Sequence, residues 1–183
     1  ELPAAGDYAV GALFLPRDDD ARRFCEEAIE KYTQQEGQSL LGWRDIPVDN
    51  SHLGESVLPT EPVMRQVFIG RGESCADQDA FERKLFVIRK QLEFTIYGSK
   101  IEGAQRFYVT SLSSRLLSYK GLLLAGQVGF YFQDLRDERM TSALALVHQR
   151  FATNTFPTWE LAQPFRMIAH NGEINTLRGN ANW

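Results

Sequence analysis

The sequence holds only two cysteines in 183 residues, Cys25 and Cys75, and neither belongs to a CxxC pair or to a cysteine–histidine spacing. A disulfide framework and a zinc site are thereby excluded, and a reduced, cytoplasmic chain is the expectation. Positive charge is not in surplus either: 20 Lys and Arg stand against 24 Asp and Glu, for a formal net charge of −4. Nucleic-acid binding calls for a clustered basic face. The pairs Arg83-Lys84 and Arg89-Lys90 alternate with apolar residues instead and read as the wet side of a helix. No apolar run approaches the roughly 18 residues that span a bilayer. The opening ELPAAGD has neither the basic nor the apolar part of a signal peptide. Neither a nucleic acid nor a membrane is expected as a partner. A fixed-period repeat is missing as well, and so is a phosphate-binding loop. Gly70-Arg71-Gly72 comes nearest, but it lacks the Lys and Ser/Thr of a nucleotide cradle and reads as a surface turn.

What is present is an ordinary globular composition, 43% hydrophobic and 24% charged, enough to bury one core. Tyr8–Leu15 is an apolar run between Gly6-Asp7 and Pro16, the mark of a buried strand. Asp18 to Asp20 open a helix whose apolar stripe runs through Ala21, Phe24, Cys25, Ala28, Ile29 and Tyr32 and which Gly37 closes. Cys25, on that stripe, is expected in the core. A short strand and turn are predicted over residues 40–48, a loop over 49–62 and a second strand over 63–69. The strongest helix is 77–97, with Phe81, Leu85, Ile88, Leu92 and Ile96 on one face. Residues 107–112 and 122–124 are predicted to pair as strands, and 127–134 to form either one helical turn or an aromatic loop. Two further apolar stretches, 143–148 and 165–170, look strand-like. Interleaved strands and helices without a phosphate loop favour stacked sheets flanked by helices over a doubly wound nucleotide fold.

Chemistry concentrates near the C-terminal end, in HQRFATNTFPTW (148–159) and AHNGEINT (169–176). In each, an apolar stretch runs into hydrogen-bonding side chains, which is where sites are commonly mounted. Arg150 offers a planar fork of donors suited to a carboxylate; a structural ion pair with an acidic side chain is the alternative. Asn171-Gly172 is a common hairpin turn. The next residues, EINTLR, lack the alternation of a return strand. A carboxamide beside a glycine N–H also makes an oxyanion hole, because glycine lets the backbone approach the substrate closely. His148 and His170 are candidates for a general base, or for structural hydrogen bonds, since no Ser or Cys motif lies beside either.

Together HQRFATNTFPTW and FRMIAHNGEINTLRGNANW closely resemble the glutamine amidotransferase domain of the glutamate synthase large subunit, and LGWRDIPVDN, TEPVMRQVFIGR and FYVTSLSSRLLSYKG are similar to the same family. The likeness covers most of the chain, from about Gly6 to Trp183, and the EINTLRGN run separates glutamate synthase from other class II amidotransferases. It implies an α+β, N-terminal-nucleophile hydrolase fold: an αββα sandwich of largely antiparallel sheets, here incomplete. Residues 1–183 would be a partial type 2 amidotransferase domain, cut at both ends. The implied reaction is hydrolysis of glutamine to glutamate, with ammonia passed to a synthase site for reductive amination of 2-oxoglutarate. By the same resemblance Arg150 holds the glutamine α-carboxylate and Phe151 and Thr153 line that pocket. The Asn171 side-chain amide and the Gly172 backbone N–H bind the oxyanion.

The sequence departs from the family in one respect. The family's nucleophile is an N-terminal cysteine whose own α-amino group serves as base, whereas the first residue here is Glu1. Cys25 and Cys75 lack a free α-amino group, and Cys75 is expected to be a merely exposed thiol. The isolated chain is therefore expected to be inactive, and to self-associate through uncovered sheet edges. No cofactor and no metal are expected in these residues; FMN and a 3Fe-4S cluster are implied for the full-length family protein. The implied partners are glutamine, the remaining synthase domains of the same polypeptide, and a small NADPH-oxidising subunit or ferredoxin. The implied location is the cytoplasm, or the plastid in a plant or alga. The alternatives are a folded, non-catalytic fragment that binds glutamine or glutamate, a thiol enzyme built on Cys75, and another class II amidotransferase.

Overall fold

A computed structural model describes residues 2–151 and 156–169. Its strands and helices come in the order β1 (Tyr8–Leu15), α1 (Asp19–Gln35), β2 (Ser39–Asp45), β3 (Val63–Gly70), α2 (Gln78–Tyr97), β4 (Tyr108–Ser113) and the single-turn α3 (Val128–Tyr131). The chain divides into two compact units, the first made of Glu1–Pro47 and Glu61–Tyr119, the second of Val48–Thr60 and Lys120–Trp183.

The first unit is a four-stranded antiparallel sheet in the order β2-β3-β1-β4 carrying α1 and α2. β1 lies inside the sheet, as its unbroken apolar run requires: Ala9, Leu13 and Leu15 join Val67, Ile69 and Val109 in one core with the helices. Both helices begin as their sequences dictate. Asp18 accepts from Ala21 N at 2.9 Å and Asp77 accepts from Ala80 N at 2.7 Å, each satisfying an orphan N–H of the first turn. Asp19 and Asp20 in α1, and Asp79 in α2, add negative charge at the positive end of the helix. The predicted face of α2, Phe81, Leu85, Ile88, Leu92 and Ile96, is buried throughout, in one core with Cys25, Ala28 and Ile29 of α1. Gly11 is needed inside β1, because a Cβ there would come within 2.6 Å of Val67 Cγ1. The sheet's other face carries Ala12, Phe14, Met64 and Gln66, all buried. At the irregularity between β1 and β4, Thr110 Oγ1 lies 2.9 Å from Ala12 O and 3.2 Å from Ser118 O. Residues 118–119 are tied to the sheet, with Ser118 N donating to Ser111 Oγ and Gln66 Nε2 donating to the Tyr119 hydroxyl.

The second unit is irregular, with short turns at Leu58–Thr60, Ala125–Gln127 and Gln133–Arg136 around α3. The alternative left open at 127–134 resolves as one helical turn. Its aromatic rings are the unit's core: Tyr131 meets Phe132 edge-on at 4.8 Å and Trp159 at 5.8 Å. Val48 bridges Phe132, and Asp49 N donates to Tyr131 O, which ties residues 48–60 to this turn.

Three expectations need correction. Residues 122–124 form no strand; β4 pairs with β1 instead, and Leu124 N caps the turn after it by donating to Gln127 Oε1. Residues 143–148 join no ladder among the described residues, and Leu144 and Val147 lie exposed. Of 165–170, the part up to residue 169 closes on itself rather than pairing with a distant strand: Phe165 N donates to Ile168 O and Ile168 N to Phe165 O. His170 lies outside the described residues. The fold class stands as α+β with an antiparallel sheet.

Candidate functional site

Of the side chains singled out in the sequence, Arg150 and Phe151 are described, while Thr153, Asn171 and Gly172 lie outside the described residues. Arg150 belongs to a stretch of the second unit without regular secondary structure and is exposed; Phe151 beside it is half-buried. The backbone there is held locally, with Arg150 N donating to His148 Nδ1 at 3.2 Å. That contact assigns His148 a structural hydrogen bond and leaves its Nδ1 occupied as an acceptor. Among the described residues no carboxylate pairs with the Arg150 guanidinium. The fork faces solvent and presents its five donors outward.

Past Phe156 the chain re-enters a packed environment. Trp159 is 4% exposed, and its indole Nε1 donates to Thr60 Oγ1 at 3.0 Å while its ring packs on Tyr131. Lys120, also 4% exposed, donates from Nζ to Glu160 O at 2.8 Å and lies 4.4 Å above the Phe165 ring. Burial pulls the Lys120 ammonium down to about 8, with the nearby Glu160 charge acting against the shift. The sequence gives no local sign that Lys120 is buried, because its partners lie some forty residues downstream.

Neither cysteine is placed to attack a substrate. Cys25 is fully buried, and burial, reinforced by the Glu26 charge, pushes its thiol up to about 12. A thiol that stays protonated at neutral pH is a poor nucleophile. Cys75 corrects the expectation of an exposed thiol: only 6% of it is accessible. The reason is Gln38, whose side chain is hydrogen-bonded to the sulfur at 3.5 Å and accepts from Gly72 N at 2.8 Å, closing the turn over it. No cluster of three or more potential metal ligands occurs among the described residues. No described helix is long and apolar enough to cross a membrane.

The sequence model of the class-II glutamine amidotransferases matches residues 1–183, and the chain belongs to that family. Its α+β fold, with an antiparallel sheet under helices, is the fold of that class. The chain is similar to the glutamate synthase [NADPH] large chain of Bacillus subtilis, 50% identical over 182 residues, covering 100% of this chain and 12% of that protein. It is also similar to the glutamate synthase [NADH] of Schizosaccharomyces pombe, 45% identical over all of this chain and 9% of that protein. The ferredoxin-dependent glutamate synthase 2, chloroplastic, of Arabidopsis thaliana is 42% identical over 95% of this chain and 10% of that protein. The chain thus spans roughly a tenth of the length of these relatives.

Proposed function

We propose that this segment is the substrate-gripping part of the glutaminase of a glutamate synthase. Glutamine is hydrolysed to glutamate, and the ammonia passes to a synthase site that reductively aminates 2-oxoglutarate. The observation that carries the reading is Arg150: in a segment that matches the family throughout, it presents a guanidinium free of acidic partners among the described residues. In this reading Arg150 holds the α-carboxylate of glutamine, and Phe151 and Thr153 line the same pocket. The Asn171 amide and the Gly172 N–H stabilise the oxyanion that forms as the side-chain carbonyl is attacked. Fixing the charged end at one point and polarising the amide at another converts an encounter into a positioned reaction.

The nucleophile is an N-terminal cysteine supplied by sequence outside these residues, so the 183-residue polypeptide alone hydrolyses no glutamine. Cys25 and Cys75, both buried, are not substitutes. Relatives whose names carry three electron donors, NADPH, NADH and ferredoxin, share this segment at 42–50% identity. In this reading the electron donor, FMN and a 3Fe-4S cluster act in the rest of the polypeptide or in a partner subunit. The protein works in the cytoplasm, or in the plastid if it comes from a plant or alga.

The test is glutamine binding and turnover in the intact protein. Loss of one partner of a desolvated charge pair costs about 2–4 kcal/mol, so Arg150→Ala raises the KM for glutamine by about 30- to 700-fold. Arg150→Lys recovers part of that loss, since one of two parallel hydrogen bonds is replaced. An Arg150→Ala protein that keeps the parent KM refutes the assignment.

A further inference from the structure

The two long helices of the first unit differ in what they leave outside. Each buries one apolar row in the core shared with the sheet. The exposed row of α1 is polar throughout: Asp20, Arg23, Glu27, Lys31 and Gln34, at three- and four-residue steps. That is the outer face of a helix built to meet water. At the same steps α2 exposes Arg83, Phe86, Lys90, Phe94 and Tyr97, with Val87 beside Phe86. Phe94 is 85% accessible and Phe86 56%. An apolar residue exposed singly needs no explanation, but rings aligned over about three turns of one helix form a continuous strip, and such strips mark surfaces made to be covered.

The strip is already ordered. Arg89 lies 5.2 Å over the Phe86 ring while its guanidinium pairs with Glu93 at 3.1 Å, and the Tyr97 hydroxyl donates to Phe107 O at 2.9 Å. Rings held in this way lose little freedom on docking, which lowers the cost of association. The charge along the strip is one-sided. Arg83 has no acidic partner among the described residues, and Lys90 and Arg89 share a single carboxylate, Glu93. A matching surface is apolar at its centre and carries carboxylates where it meets Arg83 and Lys90. The 183 residues correspond to 12% of the Bacillus subtilis glutamate synthase large chain, to which they are 50% identical. A surface elsewhere in such a polypeptide is tethered to this unit and meets the strip at a high effective concentration, an advantage that a separate protein or a second copy lacks. We infer that the Phe86–Tyr97 strip of α2 is a docking face for an apolar, acid-rimmed surface of the same polypeptide outside residues 1–183. The inference rests on the reading of this segment as one part of a longer glutamate synthase.

The experiment is labelling of the intact protein with N-ethylmaleimide, the modified residue being located by peptide mapping. Phe94→Cys and Lys90→Cys place a thiol on the strip, and Glu27→Cys places one on the polar row of α1; all three positions are exposed in this unit. Each rate is divided by that of the same variant unfolded in urea, which removes differences in intrinsic reactivity. A covered thiol reacts only when its cover opens, so both strip variants are expected to label at least about tenfold more slowly than Glu27→Cys. The protection is expected to survive a roughly hundredfold dilution, because a tethered surface does not dilute. Protection that falls on dilution assigns the strip to a second copy or another protein and overturns the inference. Phe94→Cys removes one ring and can loosen the docking it reports, so Lys90→Cys, which keeps Phe86, Phe94 and Tyr97, decides. A folded Lys90→Cys protein that labels within about twofold of Glu27→Cys leaves the strip uncovered and overturns the docking face. Adding Arg83→Glu to Lys90→Cys is expected to speed its labelling about threefold or more, and an unchanged rate refutes the acidic rim. Free labelling of the strip in a protein whose Arg150→Ala variant shows the raised KM refutes the docking face alone. If Arg150→Ala also leaves KM unchanged, the reading beneath it falls as well.

Discussion

Replacing Gly72 by alanine tests how the first unit closes its own edge. Gly72 sits in the Gly70-Arg71-Gly72 turn after β3, where nothing about its sequence suggests a crowded position. An added Cβ would lie 3.0 Å from the Gly37 carbonyl carbon and well inside contact with that carbonyl's oxygen. The obstacle is backbone, not a side-chain tip that could swing away. Gly37 itself is committed: it comes just after α1 with φ +72°, its N–H donates to Gln34 O, and Gln38 N donates to Thr33 O. Separating the two strands of chain also strains the Gly72 N–H to Gln38 Oε1 bond, which holds the Gln38 amide beside the Cys75 sulfur. Overpacking costs about 1–3 kcal/mol, and a weakened, partly buried hydrogen bond about 1 kcal/mol more. Alanine's smaller unfolded-state entropy returns about 0.4–1 kcal/mol. The net loss is about 2 kcal/mol, equivalent to a roughly 30-fold rise in the population of locally open states. Hydrogen–deuterium exchange read on peptides from 33–40 and 70–76 reports that change directly. Gly54, around whose Cβ position nothing lies within 4 Å, is the control, and Gly54→Ala should be neutral or slightly stabilising. If Gly72→Ala exchanges no faster than Gly54→Ala in those peptides, the close approach has been misjudged and the reasoning fails.

The same packing sets three more expectations. Leu85→Ala, in the fully buried row of α2, should cost about 2–5 kcal/mol and speed exchange throughout α2 and β1; a change confined to the α2 termini would contradict a shared core. Glu36 accepts from Lys84 Nζ at 2.9 Å and from Gln91 Nε2 at 3.0 Å, and the Lys84 hydrogen bond, with Gln91 assisting, holds its carboxyl below the usual range. A carboxylate whose folded pKa is lowered stabilises above its unfolded value and loses that contribution as pH falls through the folded one. The stability difference between the parent and Glu36→Gln, measured by urea unfolding, should therefore be present at pH 7 and shrink as the solution is acidified below about pH 4; a difference independent of pH would rule out the charge as its source. Cys25 should resist iodoacetamide at pH 8 in the folded protein and react only after denaturation, and stoichiometric labelling of the native protein, located by peptide mapping, would contradict its burial.

The parts of this fold that were legible in the sequence depend on neighbours a few residues apart. Asp18 and Asp77 mark helix starts because the N–H each one caps lies three residues on, and the α2 face comes from a 3.6-residue period. β1 announced itself as an unbroken apolar run because both of its faces are buried, Ala9, Leu13 and Leu15 on one and Ala12 and Phe14 on the other. The failures share the opposite property. Residues 143–148 have the composition of a strand, yet a strand exists only where a partner pairs with it, and apolar sequence carries no record of whether one does. Cys75 read as exposed because its own neighbours are polar, while the group that covers it, Gln38, stands 37 positions away. The same limit hid Lys120. A lysine in a polar stretch reads as solvated, and its burial depends on Trp159, Glu160 and Phe165 arriving from about forty residues downstream. Arg150 was singled out on different grounds: its proposed role rests on the donors of its guanidinium, which are fixed by the residue type rather than by distant contacts. A donor set can thus be named from residue type alone, whereas the burial of a side chain such as Lys120 or Cys75 is decided by groups far along the chain, and no local pattern records it.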